Sequence, residues 1–141
     1  MNHAKILLAV ILTLMLTACG TLRNIKYTNI GSEFGKSARN YIQLVRWHEL
    51  ESAASTFVSP LLLEEYRVKM KDANNVRIID YRVIKMECDP IKGEGTAKME
   101  LDYYRPPSVK VFTVEDLQKW SYEGEENNRT WRLRSFLPEF K

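Results

Sequence analysis

The chain predicts an α+β fold, with two or three N-terminal helices packed on a four-stranded antiparallel meander, and three observations carry that expectation. Apolar residues recur at three-and-four spacing as far as Met70 and give way beyond Val76 to β-rich runs. The breaks between those runs are short and built from Gly, Pro, Asn and Asp. Folding the chain back at the breaks puts the large apolar residues of the last three strands on one face. At 141 residues the chain is long enough for one domain with a core of its own. An apolar share of 45% with 28% charged residues excludes a disordered or fibrous chain, and a net charge of +3 of mixed sign argues against nucleic acid as a partner. Two cysteines are too few for a disulfide-stapled miniprotein.

In chain order, Lys5 followed by the apolar run 6–16 has the n-region and h-region of a secretory signal peptide, and the run is too short for a spanning helix. Leu16-Thr17-Ala18-Cys19 then resembles the lipobox of bacterial lipoproteins. The resemblance implies a diacylglyceryl group on the Cys19 thiol, cleavage after Ala18 and acylation of the new amino group. An ordinary signal peptide with a chance Cys is the alternative. Two or more acyl chains make a stable anchor, so the expected partner is the membrane itself. With Gly20 rather than Asp after the Cys, the family's sorting pattern implies the outer membrane, facing the periplasm. The expected organisation is a signal peptide over 1–18, a lipidated Cys with a flexible tether over 19–33, and one α+β domain over 34–141.

Within the domain, Ala38, Tyr41, Ile42 and Val45 form one helical stripe, which Leu50, Ala53, Ala54 and Phe57 continue after a bend. Ser59-Pro60 is a restart signal, with Ser as the cap and Pro in the first turn, and Leu62, Tyr66 and Met70 make the next stripe. Strands are expected over 76–88, 95–105, 109–123 and 130–137. A first hairpin whose paired numbers sum to 183 sets Met86 against Ala97, Ile84 against Met99 and Asp80 against Tyr103. A second summing to 213 sets Met99 against Val114, and a third summing to 253 sets Tyr122 against Trp131 and Trp120 against Leu133.

Helices followed by a curved sheet that ends in a Trp-rich hairpin look like the cone-shaped nuclear transport factor 2-like superfamily. The residues carrying the resemblance are Tyr41 through Trp47, Asp80-Tyr81-Arg82-Val83, Asp102-Tyr103-Tyr104-Arg105, and Trp120 with Trp131-Arg132-Leu133. Members of that superfamily include isomerases, dehydratases, transport adaptors and envelope assembly domains, so the resemblance implies a fold and leaves the activity open.

Few residues offer chemistry. Once the leader is removed, His48 and Cys88 are the one His and one Cys besides the lipidated Cys19, too few for a zinc site, and no metal or cofactor is expected. Cys88 has no nearby His or Lys to activate it and reads as inert. The glycines form no phosphate loop, and Asn128-Arg129-Thr130 reads as a turn. In the register above, Asp80, Arg82 and Tyr103 point to the helix-covered face. Asp80 as base with Tyr103 as donor would suit isomerase or dehydratase chemistry, whereas Asp80 paired with Arg82 would be a buried ion pair closing the cone. The opposite face would carry Ile79, Tyr81, Val83 and Tyr104, either as an interface for a second copy or an envelope protein, or shifted inward by a β-bulge near Asp80. The reading favoured by the sequence is a non-enzymatic, membrane-anchored module that binds a protein partner or a small apolar ligand.

Overall fold

The computed structural model describes residues 25–141. Helix α1 is helical over 25–46, α2 covers Leu50–Phe57 and α3 Leu63–Met70, and a 3₁₀ turn follows at Lys71–Ala73. Strands β1 (Arg77–Asp89), β2 (Glu94–Tyr104), β3 (Phe112–Glu123) and β4 (Thr130–Leu133) then form one antiparallel sheet in the order β1-β2-β3-β4. The three helices pack on this sheet, the α+β arrangement expected from the sequence.

Helix α1 is longer than its stripe suggested. Residues 25–33, expected to be tether, are its first turns, because Ile30 and Phe34 extend the apolar stripe of Ala38, Tyr41, Ile42 and Val45 by two further turns. Ile30 is also held across the fold, its carbonyl accepting a hydrogen bond from Trp131 Nε1 at 2.9 Å. The Phe34 ring meets the rings of Trp131 and Trp120 with centroids 5.1 and 6.3 Å apart. It comes so close to β2 that a Cβ on Gly95 would lie 2.7 Å from it, so only glycine lets the helix settle there. Burying side chains of this size contributes roughly 1.5–3 kcal/mol each, enough to order two turns that the polar residues between them would leave open. Cys19, the acylation site implied by the lipobox, lies outside the described residues, as does the leader.

The bend after α1 is a Schellman cap. His48 N–H donates to Val45 O at 3.0 Å and Glu49 N–H to Leu44 O at 2.8 Å, with His48 itself at φ +63°, in the left-handed region. Helix α3 starts later than Ser59-Pro60 suggested. The Ser59 hydroxyl donates to Glu123 Oε2 at 2.8 Å and its N–H to Leu133 O at 2.9 Å, so Ser59 joins the helical layer to the sheet and no longer caps. Strand β4 is correspondingly short. After Leu133 the chain leaves the ladder, with Phe136 stacked on Tyr66 and Phe140 edge-on to Tyr103.

Register decides which side chains face the helices. The third hairpin pairs Trp120 with Leu133 and Tyr122 with Trp131, as expected. The second is displaced by two, pairing Met99 with Asp116 and Leu101 with Val114, and a shift of two preserves the face. The first keeps the expected register only from Lys85 to Asp89, where Met86 opposes Ala97. Irregularities between Val83 and Lys85 and between Ile78 and Asp80 each slip the pairing by one, and a slip of one exchanges the faces.

Candidate functional site

The slip between Val83 and Lys85 reverses the expected constellation. Asp80 now opposes Asp102 and Arg82 opposes Glu100 on the outer face, while Tyr81 opposes Leu101 and Val83 opposes Met99 on the face toward the helices. Asp80 and Tyr103 therefore stand on opposite sides of the sheet and form no proton-transfer pair. Each is engaged elsewhere. Asp80 lies 3.7 Å from Arg46, whereas the Tyr103 hydroxyl donates to Lys141 O at 3.1 Å and accepts from Lys141 N–H at 2.9 Å. The expected Asp80–Arg82 ion pair is replaced by an outer charge cluster. Arg82 donates to Asp102 Oδ2 at 2.6 Å and to Glu100 Oε2 at 3.1 Å, and Thr113 donates to Asp102 Oδ1 at 2.6 Å. Those hydrogen bonds from Arg82 and Thr113 hold the Asp102 carboxyl down to about 2.

The four residues expected as an interface separate in the same way. Tyr81 accepts a hydrogen bond from Gln43 Nε2 at 3.0 Å and packs against the core, and Val83 shares its face. Tyr104 stays on the outer face opposite Arg77. Ile79 occupies the bulge and stays exposed. Tyr81 and Val83 are thus turned to the inner face by the slip between Val83 and Lys85 and not by a bulge near Asp80. Val83 stays exposed there, and the exposed alternative describes Ile79.

Ile79 has a neighbourhood that sequence reasoning missed. Trp47, the residue after α1, is 69% exposed. The Arg46 guanidinium lies 5.9 Å from the centroid of its ring and reaches Asp80, the residue after Ile79, so a cation joins the exposed indole to the bulge. The helix stripe alone points to this: Val45 is the last inward position, and a Trp two residues on falls off the buried face.

A second set of polar residues lies inside. Asp116 and Gln118 are fully buried on β3, between Val114 and Trp120 on the same face. Gln118 Nε2 donates to Asp116 Oδ2 at 2.8 Å and approaches Met99 Sδ at 3.5 Å, and Trp120 Nε1 donates to Gln118 Oε1 at 3.1 Å. Beside them the hydroxyls of Tyr41 and Tyr66 meet at 2.6 Å. Burial raises the Asp116 carboxyl to about 6, with the Gln118 hydrogen bond opposing. Burial likewise raises both phenols, and the Asp116 charge adds to the rise. The strict alternation from Val114 to Trp120 would have found Asp116. At 2% exposure it is sealed from solvent, and a substrate would reach it only if the helices parted from the sheet.

His48, the lone imidazole of the described residues, caps α1 next to Arg77 and is lowered by burial and by that guanidinium. Cys88 is a free, half-buried thiol, raised by burial and by Asp89. Among the described residues no three of His, Cys, Asp and Glu gather as metal ligands, and no helix is long and apolar enough to cross a membrane. No family model, curated protein or solved structure matches the chain.

Proposed function

We propose that this chain is an envelope lipoprotein, held in the outer membrane by acyl chains on Cys19 and facing the periplasm, whose α+β domain binds a protein partner or assembles with it and carries no catalysis. The observation that supports this reading is the exposed Trp47, whose neighbour Arg46 reaches Asp80 next to the exposed Ile79. Exposed Trp and Arg together are the composition of an interface hot spot. The residues named for the alternative, a small pocket enzyme of isomerase or dehydratase type, are turned to opposite faces and otherwise engaged, so Asp80 and Tyr103 lend it no support.

The anchor and the domain sit close together in this reading. Residue 25 is already helical, and the six links from Cys19 span at most about 20 Å, so the domain rests against the bilayer surface. Labelled palmitate tests the anchor: the native chain incorporates it, and a Cys19→Ala variant that still does so refutes the lipid assignment. A photo-crosslinking residue at Trp47 or Ile79 tests the binding role in cells. A discrete adduct is expected there and not at Glu115 on the outer face, and an adduct pattern shared by all three positions overturns it.

A further inference from the structure

The binding role proposed above leaves open what kind of chain the domain takes, and the strap of residues 134–141 supplies an answer. Past Leu133 this segment runs outside the ladder. It is tied first to β3, where Arg134 N–H donates to Lys119 O at 2.7 Å and Ser135 Oγ accepts from Lys119 N–H at 3.1 Å. Further on it is tied to β2. Arg105, the residue after β2, donates to Phe140 O at 2.8 Å, and the Tyr103 hydroxyl donates to Lys141 O and accepts from Lys141 N–H. Between those ties residues 136–139 make no hydrogen bond among the described residues. Two aromatic side chains hold the strap there. Phe136 stacks on Tyr66, with Lys69 Nζ 3.8 Å from its centroid. Phe140 enters a socket lined by Val45, His48, Leu50, Ala73, Val76 and Ile78, and leaves a void of only about 10 Å³ there. Alongside, a cleft of about 850 Å³ lies between Phe136–Phe140 and the turn Lys71–Ala73, so one flank of the strap is open.

We propose that residues 134–141 fill, in cis, a site for an extended peptide, and that a segment of a partner protein with two aromatic residues four apart displaces them. The inference rests on the reading of the domain as a binding module. The occupant is argued from the strap itself, which displays the chemistry the site accepts. Aromatic anchors seated in pockets, with the main chain held by fixed polar groups, are how grooves take peptides. Arg105 forms no ion pair among the described residues, so its remaining N–H groups are open to the carbonyls of an incoming chain. The strap lends itself to exchange because it adds no strand to the ladder and the open cleft beside it gives a competitor room to enter. A ligand tethered in cis competes at an effective concentration of about millimolar. The strap therefore keeps the Phe140 socket filled until a partner outcompetes it.

The probe is a labelled peptide of residues 134–141, titrated into the full chain. The native chain should bind it only at about millimolar concentration, where it matches the tethered strap. Phe140→Ala removes an anchor from the strap and leaves the socket intact, so that variant should bind the same peptide about tenfold or more tightly. A peptide with both Phe136→Ala and Phe140→Ala should not bind, and Arg105→Gln added to the Phe140→Ala chain should weaken binding severalfold. A second readout does not depend on how that variant folds. With 4-fluorophenylalanine in place of Phe140 in the native sequence, the fluorine resonance should move to its solvent-exposed position as unlabelled peptide is added. Equal affinity of the native and Phe140→Ala chains, or a fluorine resonance that peptide in excess leaves unmoved, overturns the proposal. Crosslinking at Trp47 and Ile79 reports on the binding surface separately. A discrete adduct there with no displacement of the strap refutes the peptide site alone, and a displaced strap without such an adduct refutes that surface alone.

Discussion

Gln118 donates its amide to the carboxyl of Asp116 at 2.8 Å, two residues back on the same strand and fully inside the core. The single amide does not offset the loss of water, and burial holds the carboxyl up at about 6. The acid form binds its proton more tightly in the folded state than in the unfolded one, whose value is about 3.9. Its stabilisation is thus full below that value and is lost as pH rises through 6, to an extent of about 3 kcal/mol. Asp116→Asn removes the titration and keeps the hydrogen bond to Gln118. Urea unfolding of both proteins between pH 4 and pH 7 should show the native chain losing stability relative to the variant. Parallel curves would show that Asp116 titrates normally.

The Tyr41–Tyr66 pair is a second buried polar unit, its hydroxyls 2.6 Å apart. Removing one hydroxyl leaves the other without its partner, at a cost of about 1–3 kcal/mol. Removing both leaves two apolar rings and no orphan. Tyr41→Phe and Tyr66→Phe should therefore each lower the denaturation midpoint, and the double variant should cost less than their sum. Strict additivity in the double-mutant cycle would count against a shared bond.

His48 sits at a left-handed C-terminal cap, where a Cβ is unfavourable by about 1 kcal/mol. His48→Gly relieves this and gives up only the contact of the ring with Arg77. The expected result is a melting temperature raised by a few degrees. A lowered one would mean that the imidazole–Arg77 contact outweighs the backbone strain.

Trp131 holds the first turns of α1 through its hydrogen bond to Ile30 O. Trp131→Phe keeps much of the ring packing against Phe34 and Tyr122 but removes that donor. Hydrogen exchange over residues 25–33 should accelerate well ahead of the rest of α1. Uniform exchange along the helix would indicate that apolar burial alone orders this segment.

The legibility of the fold follows from how each element is specified. The helical stripe from Ala38 to Phe57 and the third hairpin are local patterns, and both stand as read. The second hairpin slid by two residues, an error the alternation cannot detect because it leaves every face unchanged. The first hairpin carried the candidate site, and the one-residue slip between Val83 and Lys85 turned Asp80 and Arg82 outward and Tyr81 inward. A bulge is set by how an edge strand twists against its partner and under α1, and Val83-Ile84-Lys85, where the decisive one lies, carries no mark of it.

The sequence by itself determined the layers: which segments are helical, which are strands, and that the sheet has one apolar side. Those follow from the spacing of side chains along one segment, a property the segment carries alone. Only the tertiary structure decided where α1 begins, which residues of β1 face in, that Asp116 is enclosed with Gln118, and that Arg46 joins the end of α1 to Asp80. Each of these depends on a contact between residues far apart in the chain, such as Ile30 with Trp131 or Arg46 with Asp80, and such contacts exist only once the helices lie on the sheet.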